Sequence, residues 1–399
     1  MIGGALVLLT GLVTFPDAAA TLFADWNVFL FFLGMMALSA LAEEAGFFDW
    51  AAVNVARMVK GDPRRLMVGV MLLGTVISTL LSNDATALIL TPIVFTLVKR
   101  LDLDPLPFTL ACVFIADTAS FMLPVSNPIN IIVLTSFHLS LGEFFRLFLL
   151  PSVIVIALNI VLFLWIFRRR LQHPFSTSHL GSATANVRDP AYFRFVLVVL
   201  GLVAVAYLAF SLAQWPLSLV AAGGALLLFV GGVQRNVTTP AKVALRIAWP
   251  IFGFIAGMAL VVRAVEQIGL VQHISAALMQ LSGTGQHPSL TLVGATTFSA
   301  AAGSNLINNI PMAFLMTAAL HHVGRVSHQT QLALVGSTIL GCDLGANLTT
   351  VGSLAKVFWL LLLRQRGVKV SAFDYLKIGI LVTPPLLLVG GLVLWRMIA

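Results

Sequence analysis

This sequence has little charge. Only 10% of its 399 residues are Asp, Glu, Lys or Arg, against 59% apolar residues and a mean hydropathy of +1.01. Soluble domains carry about 25% charge, so a water-facing surface cannot be covered here and a soluble enzyme is excluded. The pI of about 10.1 does not reverse this. Nucleic-acid binding needs a polar body behind its basic contacts, and no nucleic-acid partner is expected. Cysteine is scarcer still. Cys112 and Cys342 allow at most one bridge and no zinc or iron–sulfur set. Both lie in apolar runs, where a free thiol acts as a small buried hydrophobe. The eight histidines fall in loops or near span ends without metal-ligand spacing, and no phosphate-binding glycine-rich loop occurs. Neither a cofactor nor a metal is expected. The first basic residue is Arg57, so no secretory leader with a charged start is visible.

What is present is long apolar segments. They predict an all-α polytopic protein of the lipid bilayer, with crossings at 2–22, 25–45, 105–138, 143–168, 191–212, 215–234, 246–266, 329–364 and 373–397. Each has the roughly 20 residues that a span requires, or more where it is interrupted. Residues 47–59 read as an amphipathic helix in the interface. Two runs, 66–98 and 289–322, carry polar centres at Ser82-Asn83-Asp84 and at Asn308-Asn309. At about 33 residues each they are too short for two spans and a turn. Each therefore predicts a re-entrant hairpin, whose tip is tolerated at membrane depth only inside protein or against a cavity.

The chain repeats itself. WNVFLFFLGMMALSALAEEAG from Trp26 matches WPIFGFIAGMALVVRAVEQIG from Trp249 at an offset of 223. From the hairpins onward the offset is 226: Ser78 falls on Ser304, Asp117 on Asp343, and PVSNPIN (124–130) on TVGSLAK (350–356). The basic residues then orient the halves. Lys60, Arg64, Arg65, Lys99 and Arg100 flank the first hairpin, while the second carries only Arg325. The net charge of +8 sorts to inside loops, which puts the first hairpin on the cytoplasmic side and the second outside. The N-terminus is expected inside and the C-terminus outside. Inverted repeats with broken helices are the plan of secondary transporters, with sites near the midplane. The expected units are a first repeat over 1–168, a linker with connecting helices over 169–245, and a second repeat over 246–399.

An acid at membrane depth is costly and is a functional candidate by default. Asp84, Asp117 and Asp343 are such acids, and the last two are repeat-equivalent. They are candidates for proton coupling; the alternative is that they cap broken helices. Neutral polar groups crowd the interruptions. The first half offers Ser82, Asn83, Thr86, Ser120, Ser126, Asn127 and Asn130. The second offers Ser304, Asn308, Asn309, Asn347, Thr349, Thr350 and Ser353, with Pro124, Pro128, Gly345 and Gly352 breaking the helices between them. Half-helix ends at such breaks aim N–H and C=O groups into a shared cavity; the alternative is interhelical packing. Lys356 is an asymmetry, because its counterpart is Asn130. It can pair with Asp343, replace a bound cation, or snorkel to the cytoplasmic edge. Arg263 and Glu266 are three apart on one helix face and are expected to pair.

SNDATALILTPIV (82–94), FIADTASFMLPVSNPIN (114–130), GCDLGANLTTVGSLAKVFWLLLL (341–363) and ALAEEAGFFDWAA (40–52) strongly resemble the arsenite efflux pump family, within the ion-transporter superfamily. The resemblance covers almost the whole chain. It implies a carrier of the bacterial inner membrane that exports arsenite or antimonite, driven by proton influx, with a scaffold domain and a transport domain that holds both hairpins. The tips at Ser82–Asp84 and Asn308–Asn309 and the breaks at 124–130 and 345–353 would then line the substrate site. Ala346-Asn347 and Thr350 depart from the family's Pro-Lys and Pro, which puts carried-over roles of Asn347 and Lys356 in doubt. Family members begin with a further helix, so one is expected to be missing here. Trivalent arsenic is commonly held by three thiolates, and two cysteines cannot supply them. Arsenite should instead be bound as the neutral trihydroxide by Ser, Thr, Asn and backbone groups.

The competing expectations are a sodium-coupled anion or sodium/proton carrier of the same architecture, and a passive channel serving an arsenite-stimulated ATPase subunit in the cytoplasm. A membrane aspartate protease would need the dyad chemistry of two carboxylates sharing a proton. Its Gly-x-Gly-Asp is absent, since Gly341-Cys342-Asp343 is one residue short.

Overall fold

In the computed structural model, which describes residues 2–24, 26–178, 180–282, 287–324 and 326–399, every regular element is helical. Among the described residues, eight helices are long and apolar enough to cross a bilayer: Trp26–Glu44, Pro63–Leu80, Leu141–Ile166, Pro190–Leu212, Leu217–Gln234, Trp249–Gln267, Leu290–Ile307 and Ala372–Ile398. The protein is thus a polytopic helical membrane protein.

The expectation of one crossing over 2–22 fails. The chain forms two short helices, Ile2–Leu9 and Phe15–Ala24. Thr10 folds its hydroxyl back onto the Leu6 carbonyl at 2.8 Å, and Gly11 turns the chain with φ +72°. Apolar content alone does not register such a turn, because a run of hydrophobic residues reads as one segment whether or not a left-handed glycine interrupts it. The expected amphipathic helix is Phe47–Met58, with Phe48, Ala52 and Ala56 on its buried side.

Both hairpins and both broken spans are present. The first hairpin runs down Pro63–Leu80, breaks at Leu81-Ser82, and returns through Asn83–Ala85, a π-helical turn at Thr86–Leu90 and Thr91–Arg100. The second runs down Leu290–Ile307, turns at Asn308, and returns through Asn309–His321. The broken spans are Pro105–Thr118 followed by Pro128–Ser136, and His328–Gly345 followed by Leu354–Gln365.

The hairpins enter from opposite faces. Both ends of the first meet the polar linker: the Phe175 N–H donates to the Gly61 carbonyl at 3.0 Å, and Thr96, Leu97 and Arg100 share a small cavity with Leu180–Asn186. Arg366 donates to Pro92 O (3.1 Å) and Thr96 Oγ1 (3.0 Å), which sets the start of Ala372–Ile398 beside that same hairpin base. This helix of 27 residues is about 40 Å long. At its far end Trp395 Nε1 donates to Pro288 O at 3.0 Å, beside the start of the second hairpin.

The linker is a strap across the first hairpin's face. Arg57 donates to Gly181 O at 2.8 Å, and Arg170 pairs with Asp104 at 2.9 Å. Asp189 then caps Pro190–Leu212. The N–H groups of Tyr192 and Ala191, with Arg235, hold its carboxyl below the usual range.

The opposed hairpins predict opposed accessibility. A cysteine at Arg100 should react with an impermeant maleimide from one membrane face, and a cysteine at His322 from the other. Cys112 and Cys342 are fully buried, so their background should be small. Labelling of both from the same face would contradict the inverted arrangement.

Candidate functional site

The site is built from the four helix interruptions. Within each half, the hairpin tip bonds to that half's own broken span. In the first, Ser126 Oγ donates to Thr79 O at 3.1 Å and Asn83 Nδ2 donates to Asp117 Oδ1 at 3.2 Å. In the second, the Asn309 N–H donates to Gly352 O at 3.0 Å and Asn308 Nδ2 donates to Val351 O at 3.1 Å. Proline and glycine make these approaches feasible. Pro124 and Pro128 each open a helical segment at its first position, where a missing N–H costs no helical bond and the chain before it is turned out of the helix. A Cβ on Gly352 would stand 2.2 Å from the Ala346 carbonyl oxygen, so only glycine lets that loop close. Asn308 bends the second tip with φ +80° and ψ +154°, a region that costs a non-glycine residue of order 1–3 kcal/mol. Its side chain holds that bend, since Oδ1 accepts the Ile310 N–H at 3.4 Å while Nδ2 reaches Val351.

Between the halves the contacts are reciprocal. Asn127 of the first break donates to Asp343 Oδ1 at 2.8 Å. Its counterpart at the 226-residue offset, Ser353, donates to Asp117 Oδ2 at 3.4 Å. Each break thus holds the carboxyl of the other half. Lys356 adds an ion pair on one side only: its ammonium binds Asp117 Oδ2 and donates to Ser353 Oγ at 3.2 Å. Its counterpart Asn130 turns into its own loop instead, donating to Ser120 O (2.7 Å) and Leu123 O (3.0 Å).

The predicted residues therefore divide. Asp117, Asp343, Asn83, Asn127 and Ser353 converge. Gly352, Asn308 and Asn309 join the second tip to its break. Ser82 caps the return of the first tip through Ala85 N–H at 3.0 Å, and Ser126 ties its break to Thr79. Asn347 crosses between halves, donating to Phe114 O and Thr118 Oγ1, both at 3.1 Å. Thr349 donates to Asn305 Oδ1 through both its N–H (3.0 Å) and hydroxyl (2.7 Å). Thr350 is buried and makes no side-chain hydrogen bond among the described residues. Asp84 stands apart: it is half-buried, and its N–H donates to Asn83 Oδ1 at 3.0 Å. Its carboxyl faces Asp117 as a like charge.

Two expectations for Lys356 are corrected. It does not snorkel, because it is 0% exposed, and its partner is Asp117, not Asp343. The bend between Gly345 and Leu354 turns the side chain toward the opposite half, which distance along the sequence could not foretell. Arg263 and Glu266 do pair, at 2.7 Å. Arg325, the lone basic residue expected beside the second hairpin, lies outside the described residues.

Several participants were not picked out from the sequence. Asn305 braces the second break through Gly345 O at 2.7 Å and through Thr349. Thr118 Oγ1 accepts from Asn159 at 2.8 Å and from Asn347. Asn159 had a visible signal, as a lone amide in the apolar helix Leu141–Ile166. Three buried oxygens at these breaks accept no hydrogen bond among the described residues: Asp343 Oδ2, Asn130 Oδ1 and Asn347 Oδ1. Such atoms are costly unless a solute, water or proton meets them.

Comparison with known proteins now bears on this geometry. Residues 1–396 match the family described as arsenical pump membrane protein. The arsenical pump membrane protein of Escherichia coli K12 is 35% identical over 392 residues, covering 97% of this chain and 90% of the relative. That of Yersinia enterocolitica is 34% identical over 389 residues, covering 96% and 90%. An uncharacterized transporter of Mycobacterium tuberculosis is 27% identical over 379 residues, covering 93% and 86%. The crystal structure of the Alcanivorax borkumensis YdaH transporter shares the fold, with a TM-score of 0.66 over 95% of this chain and 86% of that one, at 11% identity.

Asn305 gives a test of the scaffold that leaves the carboxyls in place. Asn305→Ala removes three bonds at the second break, and each net bond is worth about 0.5–1.5 kcal/mol. Thermal unfolding in detergent should shift down by several degrees. An unchanged midpoint would mean that the second break is held by other contacts.

Proposed function

The chain belongs to the arsenical pump membrane protein family, and from that premise we propose that it exports arsenite or antimonite by alternating access, in exchange for protons. It is a multi-pass protein of the bacterial inner membrane. The observation that carries the proposal is the meeting of two buried, repeat-equivalent carboxyls with the first hairpin tip and with both helix breaks, the second of which also holds the second tip. Carboxyls inside a membrane are retained at cost and are suited to moving charge. The division into 1–168, 169–245 and 246–399 is kept as part of this reading, with the linker joining the two repeats.

Arsenite at neutral pH is a small neutral trihydroxide. The polar groups at the breaks are hydroxyls, amides and backbone carbonyls, which both donate to and accept from hydroxyls. Cys112 and Cys342 are free and fully buried, and two thiols cannot complete a three-thiolate cage. Recognition by hydrogen bonds also suits turnover, because a carrier must release what it binds.

Alternating access follows from the reciprocal contacts. Each break is bonded both to its own hairpin and to the opposite carboxyl, so a change at one carboxyl loosens contacts to both faces. Protonating a carboxyl from outside would favour one arrangement. Releasing the proton inside as arsenite binds would favour the other. The ammonium of Lys356 already neutralises Asp117, which weighs against a sodium ion at that carboxyl. An ATPase partner is not required by this mechanism.

Inverted vesicles carrying the protein should accumulate arsenite when energised, without added Na⁺ and with the purified chain as the sole arsenical protein. A proton ionophore should abolish that accumulation. Uptake that survives collapse of the proton gradient would contradict proton coupling; dependence on Na⁺ or on an added ATPase would favour the corresponding alternative.

A further inference from the structure

The two matched carboxyls are not in matched surroundings. Asp117 takes donors from Asn83, Ser353 and the ammonium of Lys356. Asp343 takes the Asn127 amide on Oδ1 with the Ser120 hydroxyl beside its carboxyl, no cation binds it, and its Oδ2 is buried with no hydrogen bond among the described residues. The difference traces to one position of the repeat, where the second half has Lys356 and the first has Asn130.

Resting on the proton-coupled reading above, we propose that the two aspartates divide the labour: Asp343 carries the exchanged proton, and Asp117 is the fixed counter-ion of Lys356.

Charge balance supports the division. Lys356 is 0% exposed, and among the described residues Asp117 is the acid it pairs with. A proton on Asp117 would strip that buried ammonium of the carboxylate it is bonded to, and neutralising one partner of a buried pair is strongly destabilising. A proton on Asp343 Oδ2 displaces no existing hydrogen bond. The step is a proton transfer alone: a hydronium O–H in outside water breaks as the O–H at Oδ2 forms, and that O–H later breaks as an inside water molecule takes up the proton. The groups that share the electrostatics of Asp343 are Asp117 and the Ser120 hydroxyl across the repeat and Lys356 and Cys342 of its own half, with Asp84 and Tyr375 coupled to Asp117. Because Lys356 and Asp117 cancel, one protonation at Asp343 changes the net charge of the whole cluster.

Lys356 thereby becomes a positioning residue. From the second break it reaches into the first half and keeps Ser353 on the same Asp117 oxygen that it binds. It clamps the crossing contact without taking up or releasing the transported proton itself.

The full chain in proteoliposomes, with labelled arsenite outside and a pH-sensitive dye inside, gives the ratio of protons to arsenite moved. The wild type should move protons with arsenite; if it moves none, the reading under Proposed function fails and this proposal fails with it. Given a coupled wild type, Asp343→Asn should lower the ratio by about tenfold. The double variant Asp117→Asn/Lys356→Gln, which removes both charges together, should keep the ratio within about threefold of wild type even at a reduced rate. Each single variant of that pair should transport more slowly than the double, and Lys356→Arg should restore the rate lost in Lys356→Gln. Loss of the ratio in the double variant, or its retention in Asp343→Asn, overturns the proposal. If Asp343→Asn does not yield folded protein, Asp343→Glu replaces it: a shifted pH midpoint of arsenite exchange supports the proposal, and an unshifted one overturns it.

Discussion

The crossed grip between the two halves is the constraint on which the rest depends. Asn127 holds Asp343 and Ser353 holds Asp117, across 216 and 236 residues of sequence. Neither carboxyl could remain in an apolar interior without partners, and the partners arrive only because both spans are broken. The breaks in turn need Pro124, Pro128 and Gly352, and their freed backbone groups need the hairpin tips. A chain with one charged residue in ten thus spends two acids and a lysine where charge is most costly, and builds four irregular segments around them. An ion pair joins Lys356 to Asp117 on one side of this arrangement, and Asp343 on the other side has neutral partners only.

Much of this was legible in the sequence, for identifiable reasons. A polar tip inside an apolar run too short for two spans has few physical solutions, and both hairpins followed from that. The 226-residue offset linked Asp117 to Asp343 and Asn127 to Ser353 before any contact was known. What the offset could not supply is which half each side chain faces. Lys356 stands 13 residues after Asp343, and proximity along the chain suggested the wrong partner. The intervening bend sends it to Asp117. Asn305 and Thr118 were overlooked because single polar residues within a helix are common packing groups, and only the fold shows them converging on carbonyls that the breaks set free. The turn within the first apolar run is invisible to hydropathy, which integrates over a window and does not register Gly11 turning the chain.

The peripheral architecture serves the same centre. The linker strap fastens Gly61, Arg57 and Asp104 on the face where the first hairpin begins. On the opposite face Trp395 fastens the start of the second. The hairpins are therefore anchored at their bases, on opposite sides, while their tips meet carboxyls and loops rather than regular helix. Stability at the bases and irregularity at the tips is the distribution expected of a protein whose interior contacts must exchange during transport.

The central claim is that a small arsenical solute binds where the tips and breaks converge. Anomalous diffraction at the arsenic edge, from crystals of the protein soaked in arsenite, tests it most directly. A single arsenic peak is expected within hydrogen-bonding reach of Asn83, Asn127, Ser353 or Asp343, without a bond to sulfur. A peak at Cys112 or Cys342, or one remote from both hairpin tips, would contradict it.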